Sequence, residues 1–368
     1  MDSFQNGFFD PIANRTFITL IPKVENPIQI SQYRPISLCN VSYRILTKFL
    51  VNRLRPMLNN LVGPHQSSFL KNRSTSDNII VCQEVIHSLM KTKDTEGGMI
   101  LKIDFEKAYD KISWVFLKQT LIDFDFPLSW VNLIMFCVSS PDISVIVIGE
   151  PTNEFKPKRG LRQGDPLSPY LFVLCMERLA NMISNKVSDG SWRGIKASRG
   201  GPILSHLFFA DDIILFAKAS VDVGRVVMET LEDFCDVSGQ SINFQKSLLF
   251  ISPNVSRNRS NALHFLTHMP LTKDLGKYLG VPIMHKRVNK NACISILERT
   301  KKRLSGWKNR LLNFAARVTL VKHVTSSLPV HVMQTMPLPV SVCNSLDQMN
   351  RNFIWGDTEN SKKVHLVS

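Results

Sequence analysis

Apolar residues along this chain change their spacing from two to between three and four and back again, and each change marks an element. Thr16 to Ile21 reads as a strand and is stopped by Pro22. From Ile45 to Leu61, apolar positions 45, 46, 49, 50, 54, 57, 58 and 61 fit a helix with Lys48, Arg53 and Arg55 on its other side. Pro56 predicts a kink there or an earlier end. Ser74 is placed to cap a second helix, with Asp77 completing a capping-box-like pair ahead of Ile79, Ile80, Val81, Val85, Ile86 and Leu89. Leu101, Ile103 and Phe105 alternate with Lys102 and Asp104, which predicts a strand over 100–105 with one buried face. A helix carrying Trp114, Leu117 and Leu121 follows, then a strand at 145–148. Pro166 and Pro169 lead into a helix that buries Leu171, Leu174, Cys175, Leu179 and Met182.

Two short apolar runs, Leu207 to Ala210 and Ile213 to Phe216, enclose Asp211 and Asp212 and predict a tight hairpin with both acids at its turn. A helix around 226–234, a turn at Gly239 and a strand over 246–251 come next. Beyond residue 286 the period is helical, with Ile294, Leu297, Leu304, Trp307 and Leu311 on one stripe and Arg299, Lys301, Lys302, Arg303, Lys308 and Arg310 interleaved. Strands and helices alternate irregularly, so the expected class is α+β with an antiparallel centre, not a doubly wound sheet.

Charge sharpens the picture. The net charge is +15, and the segment Ser256 to His323 holds fifteen Lys and Arg against Asp274 and Glu298 alone, which leaves only +2 on the other 300 residues. Two acids among fifteen bases make a poor internally paired surface; a solvated basic helix face is the alternative to a footprint for a polyanion. Seven scattered cysteines, with no CxxC and no His pair at finger spacing, argue against a disulfide framework or a zinc site and for reduced thiols. No signal peptide and no membrane span is visible.

Asp211-Asp212 alone is ordinary turn chemistry. Asp104, at the end of an upstream strand and pointing away from the core, changes its meaning. Three carboxylates at strand ends offer hard oxygen ligands for two Mg²⁺ ions, the arrangement that serves in-line phosphoryl transfer.

These residues fall into seven ordered blocks: Phe17 to Lys23, Tyr33 to Leu38, Gln66 to Arg73, Lys102 to Asp110, Arg159 to Pro169, Phe209 to Asp212, and Tyr278 to Gly280. In this order they resemble the reverse transcriptase domain of LINE-type non-LTR retrotransposons, especially those of plants. The resemblance implies a right-hand polymerase copying RNA, and also DNA, into DNA. It further implies fingers with the N-terminal segment over 1–98, a palm with interleaved fingers elements over 99–285, and a helical thumb over 286–368.

Residue by residue, the resemblance implies that Asp104 and Asp211 bridge two Mg²⁺ ions, with Mn²⁺ as an alternative, and the dNTP phosphates, while Asp212 is the outer carboxylate. Tyr109 falls where an aromatic ring blocks a ribose 2′-hydroxyl, and Asp110 is expected to accept backbone hydrogen bonds at the next helix start. Gln163-Gly164 is expected to touch a base or sugar. Lys71 and Arg73 look like triphosphate ligands, as do Arg34 and Lys23 with less support. Lys246 matches a lysine that protonates departing pyrophosphate. Tyr278, Leu279 and Gly280 would hold the primer end, and Lys301, Lys302 and Arg303 the hybrid of RNA template and DNA primer.

Neither an endonuclease nor a Cys/His-rich or ribonuclease H segment is present in the sequence. The expectation is therefore a fragment of such an element, with any nick made by an endonuclease in trans and no membrane partner. Two other readings stay open: a catalytically silent nucleic-acid-binding remnant, and an intron-type maturase, which would call for a basic splicing domain after the thumb.

Overall fold

The computed structural model describes residues 11–92, 94–198, 200–283, 293–306 and 311–357. The chain divides into two compact units, one of residues 1–78 and 88–273, the other of residues 79–87 and 274–368.

The first unit holds the strands expected to matter. β1 (Thr16–Pro22) pairs antiparallel with β2 (Tyr33–Cys39) and parallel with β4 (Ile143–Val147), which turns through Ile148 and Gly149, both at positive φ, into β5 (Glu150–Pro151). The second sheet runs in the order β11-β10-β3-β9-β8. β3 (Gly98–Ile103) lies at its centre, antiparallel to β9 (Asp212–Lys218) and to β10 (Leu248–Ile251). β8 (His206–Phe209) closes one edge antiparallel, and β11 (Leu271–Thr272) adds a parallel strand at the other. β6 (Ile195–Lys196) and β7 (Ile203–Leu204) form a small separate pair. The expected α+β class with an antiparallel centre is observed.

Two helices precede β3: α1 (Val41–Leu61) and α2 (Thr75–Lys91). The predicted capping box of Ser74 and Asp77 is formed at the start of α2. Pro56 stays inside α1 without ending it. Then come α3 (Ala108–Lys111), α4 (Trp114–Asp123), α5 (Leu128–Ser139), α6 (Ser168–Ser188), α7 (Val221–Ser238) and α8 (Arg257–Thr267). Gly239 ends α7 at φ 77, the left-handed conformation a glycine reaches without a Cβ penalty.

Met99, Leu101, Ile103, Ile213, Leu215 and Leu249 share one face of the second sheet. They join Leu117, Ile134, Leu171, Leu174, Val227 and Leu231 of the helices in one core. The other face is buried as well, through Ile100, Ile214, Phe216 and Phe250. β3 is thus covered on both sides up to Lys102, where one buried face was expected. Burial of each such side chain stabilises by about 1.5–3 kcal/mol, so the sheet is a rigid base for whatever projects from its end.

β3 also begins two residues earlier than the alternation predicts and stops at Ile103. Its partner β9 runs out there: Ile103 faces Ile213, the last pair of the ladder. Phe105 makes an isolated bridge to Ile242 instead. Sequence periodicity did not mark β2, α5 or α8.

The second unit contains a hairpin of β12 (Lys277–Tyr278) and β13 (Val281–Pro282), followed by α9 (Ile294–Leu304), α10 (Phe314–Leu320), α11 (Val330–Met333) and α12 (Val340–Trp355). Every regular element described beyond residue 293 is helical, as the sequence period suggested. The buried stripe of α9 differs from the predicted one. Ile296 and Thr300 are buried and Ile294 is exposed, because the stripe advances 296, 300 and half-buried 304. Leu311 is exposed, while Trp307, Lys308 and Arg310 lie outside the described residues. No helix among the described residues is long and apolar enough to cross a membrane.

Candidate active site

The hairpin predicted around Asp211-Asp212 is β8-β9, and its loop is Ala210-Asp211. Phe209 pairs with Asp212 across it. Ala210 takes the first turn position at φ 53, where glycine is the usual occupant. Holding alanine there costs on the order of 1–3 kcal/mol and needs neighbours that enforce it.

The neighbours come from the segment before α2. The Ala210 N–H donates to Ser68 Oγ at 2.9 Å and to Gln66 Oε1 at 3.3 Å. The same Gln66 oxygen accepts from the Ser68 N–H at 3.0 Å and from the Ser68 hydroxyl at 2.8 Å. Phe208 N–H donates to His65 O at 2.8 Å and Ser67 N–H to Phe208 O at 3.1 Å, so residues 65–67 lie against β8 like one more short strand. Asn78 closes the contact by donating to Phe208 O at 3.0 Å. Gln66 and Ser68 carry no charge and sit in no periodic pattern, which is why sequence reasoning assigned them no role; their place directly before the predicted triphosphate residues was the available signal.

Antiparallel register puts Asp104 directly after Ile103, across from Asp212. Its backbone is fixed by a second segment: Asp104 N–H donates to Ser247 Oγ at 3.1 Å, and Asn243 N–H donates to Asp104 O at 2.8 Å. The carboxyl is half-buried. Burial pushes its pKa up, the Lys246 ammonium opposes that, and the Asp211 charge adds to it. Asp212 reaches solvent, yet it is crowded enough for lost hydration, then the Asp211 charge, to raise its pKa as well; Lys102 opposes and Asp104 adds a smaller rise. The three expected carboxylates are thus mutual electrostatic neighbours, and Lys246 stands beside them. Among the described residues no group of three or more His, Cys, Asp or Glu forms a ready-made metal cage.

Tyr109 is half-buried, its ring stacked on Phe172 at 4.5 Å between centroids and 11° between planes. Its hydroxyl pKa is raised by burial and by Asp211, which puts the ring beside the same acids. Gln163-Gly164 belongs to a loop tied down at several points. Leu161 N–H donates to Tyr109 O at 2.7 Å, Trp114 Nε1 donates to Gly160 O at 2.9 Å, and Ser37 N–H of β2 donates to Gln163 O at 2.7 Å. Gly164, at φ 109, passes so close to Ser37 that a Cβ would lie 2.9 Å from its carbonyl oxygen. Under this loop Arg162 is buried, with its guanidinium over the Tyr43 ring at 4.2 Å and donating to Asn14 Oδ1, Thr16 Oγ1 and Cys137 O. Buried Asp165 accepts from the Tyr43 hydroxyl at 3.2 Å.

Other expected residues are placed differently. Arg73 donates from its guanidinium to the carbonyls of Val62 at 2.9 Å and Gln66 at 2.6 Å, and also to that of Gly63. It clasps its own loop rather than standing free for a triphosphate, because those three carbonyls have no strand to bond. Asp110 lies within α3, and its carboxylate accepts from the Gln163 side-chain amide at 3.4 Å, not from helix-start backbone. Lys71 lines a cleft with Asn52, Arg55, Pro56, Asn59 and Asn72 that includes none of the three aspartates. Arg34 is exposed on β2, and Lys23 donates to Ser31 O at 3.2 Å. In the second unit Tyr278 is buried, so its ring offers nothing to a primer; Leu279 and Gly280, both at positive φ, form the hairpin tip, with Leu279 O hydrogen-bonded to His331 Nε2 at 2.8 Å. Lys301, Lys302 and Arg303 are exposed on the last turn of α9.

An antiparallel sheet that gathers three aspartates at one end, with helices beneath, is a polymerase palm. Residues 21–283 match the family model described as reverse transcriptase (RNA-dependent DNA polymerase), and the chain belongs to that family. The transposon TX1 uncharacterized 149 kDa protein of Xenopus laevis is 26% identical over 336 residues, 89% of this chain and 24% of that protein. The Pol polyprotein from the type-2 retrotransposable element R2DM of Drosophila melanogaster is 31% identical over 61% of this chain and 20% of that protein. A putative ribonuclease H protein of Arabidopsis thaliana is 52% identical over 87 residues, 24% of this chain and 14% of that protein. The family match with the TX1 and R2DM relatives places the chain with the reverse transcriptases of LINE-type elements, and it spans about a quarter or less of each of the three relatives. Among solved structures, telomerase from Candida tropicalis with a fragment of telomeric RNA aligns at TM-score 0.49 and 12% identity, over 95% of this chain and 60% of that one.

Proposed function

We propose that this chain is an RNA-directed DNA polymerase that adds dNTPs to a primer 3′ end on an RNA template. The observation that carries the reading is the register of β3, β8 and β9, which brings Asp104, Asp211 and Asp212 to one sheet end with coupled charges. Reverse transcriptases use divalent metal ions, and an all-carboxylate donor set suits Mg²⁺, or Mn²⁺, with substrate oxygens completing each coordination sphere. Two such ions would activate the primer hydroxyl and steady the leaving pyrophosphate.

The chain's own side chains supply the rest of the reading. Lys246, the cation that most opposes the rise in Asp104's pKa, would give a proton to pyrophosphate. Tyr109, braced by Phe172, presents a rigid ring where a 2′-hydroxyl would intrude. The tethered Gln163-Gly164 loop brings backbone close to the nascent base pair, the Leu279-Gly280 tip would meet the primer, and Lys301, Lys302 and Arg303 the hybrid. In this reading the first unit would carry most of the fingers and palm, and the second the thumb together with residues 79–87 of the fingers and 274–285 of the palm. The Arabidopsis relative supports a plant-type element.

Primer extension on poly(rA)/oligo(dT) with Mg²⁺ tests the proposal. Asp104→Asn and Asp211→Asn are each expected to abolish dTTP incorporation while leaving the circular dichroism spectrum and melting unchanged. Retained extension by either variant would remove these aspartates from the site; binding without extension by the wild type would favour the silent remnant.

A further inference from the structure

From residue 26 to residue 76 the chain contains no Asp or Glu but seven Lys and Arg. Helix α1 lies in this stretch. It buries Tyr43, Leu46, Thr47, Leu50, Val51, Leu54 and Leu58 on one side. On the other, Arg44, Lys48, Asn52, Arg55 and Asn59 follow one another at intervals of four, four, three and four, so they form a single exposed line. At 1.5 Å per residue this line is roughly 22 Å long. Beside it runs a second exposed line, Ile45, Phe49, Arg53 and Met57, in which the Arg53 guanidinium sits over the Phe49 ring at 4.5 Å.

Three features set this face apart from an ordinary solvated helix surface. Arg44 and Lys48, like charges at i and i+4, repel and weaken the helix by about 0.2–0.5 kcal/mol, and no acid on the helix offsets the pair. None of Arg44, Lys48, Arg53 and Arg55 makes an ion pair among the described residues. Finally, the far end of the line opens into a cavity of about 620 Å³ lined by Asn52, Arg55, Pro56, Asn59, Lys71 and Asn72: two cations, three amides and no carboxylate.

We propose that this face of α1, with the cleft at its end, is a binding track for single-stranded RNA outside the catalytic site. Cations in a line meet successive phosphates, the Phe49 and Arg53 planes offer stacking, and the asparagine amides can pair with any base edge. An acidic protein segment would satisfy the charges but would leave the amides and the cleft without a counterpart. The identification of the bound strand as the template rests on the polymerase reading; the binding itself does not.

The test is fluorescence anisotropy of the full chain with a labelled 20-nucleotide single-stranded RNA of mixed sequence, titrated at several salt concentrations. For single strands, log Kobs falls with log salt by about 0.7 for each phosphate neutralised. Arg44→Gln/Lys48→Gln/Arg55→Gln should reduce that slope by about 2. The charge-conserving Arg44→Lys/Lys48→Arg/Arg55→Lys should keep it, as should the neutral control Lys118→Gln/Lys186→Gln/Lys196→Gln elsewhere on the same unit. A slope unchanged in the first variant, or reduced equally in the control, overturns the track. Primer extension on a template with only a few unpaired nucleotides separates the two proposals. Wild-type extension with an unchanged slope in the first variant removes the track alone. No wild-type extension with the slope lost in that variant removes the polymerase alone.

Discussion

Gln66→Leu is the substitution that most directly tests how the catalytic turn is held. Gln66 Oε1 accepts three hydrogen bonds, from the Ser68 N–H, the Ser68 hydroxyl and the Ala210 N–H. Leucine keeps the volume and removes the acceptor. The Ser68 hydroxyl can rotate and the Ala210 N–H keeps Ser68 Oγ at 2.9 Å, but the Ser68 N–H, on a residue with no exposed surface, is left unpaired. A stranded buried donor costs about 1–3 kcal/mol, and the two weakened bonds add about 0.5–1 kcal/mol each. The expected loss is therefore about 2–5 kcal/mol, or roughly 4–10 °C in Tm for a unit of this size. Because Ala210 is held at φ 53 by these acceptors, its amide should also exchange with deuterium faster in Gln66→Leu than the global loss explains. Extension should fall further than the folded fraction does, since Asp211 is the next residue. A stability change below about 0.5 kcal/mol with unchanged amide exchange would refute the brace.

Glu177 gives a pH signature. Burial raises its carboxyl pKa to about 7, against the opposing Gly63 N–H and Arg73. With the folded value above the unfolded one, stability is full below about pH 4.5 and is lost as pH rises through 7, by up to about 3 kcal/mol. Glu177→Gln should remove that slope between pH 5 and 8 in urea titrations; an identical slope in the variant would show another group is responsible. Gly160→Ala would place a Cβ 2.6 Å from Asp110 O at φ 91, and a loss of about 2 kcal/mol or more in urea midpoint is expected, with a change under about 0.5 kcal/mol excluding the close approach. Tyr109→Ala should lower the preference for dTTP over UTP by about 10–200-fold, the range for removing a steric fit, and an unchanged ratio would take the ring out of sugar selection.

Many of the local elements and the candidate acids were legible in the residue pattern alone. Short apolar runs located β1 and β9, and period-three-to-four spacing located α2, α6 and α7, because side chains that must face one core repeat with the helix that carries them. Asp104, Asp211 and Asp212 stood out for the same reason, as acids at the ends of apolar strands. Their surroundings depend on contacts made by segments far apart in the chain. β2 pairs through its backbone and leaves Leu38 exposed, so no alternation marks it. The stripe of α9 shifted from Ile294 to Ile296 because burial depends on what a helix rests against, which its own period does not specify. Arg73 reads as a free cation in sequence, yet hydrogen bonds to Val62, Gly63 and Gln66 turn it inward. The hold of Gln66 and Ser68 on Ala210 spans more than 140 residues of chain. Such contacts join backbone groups whose partners no local pattern encodes, and they exist only once the sheet has brought the segments together.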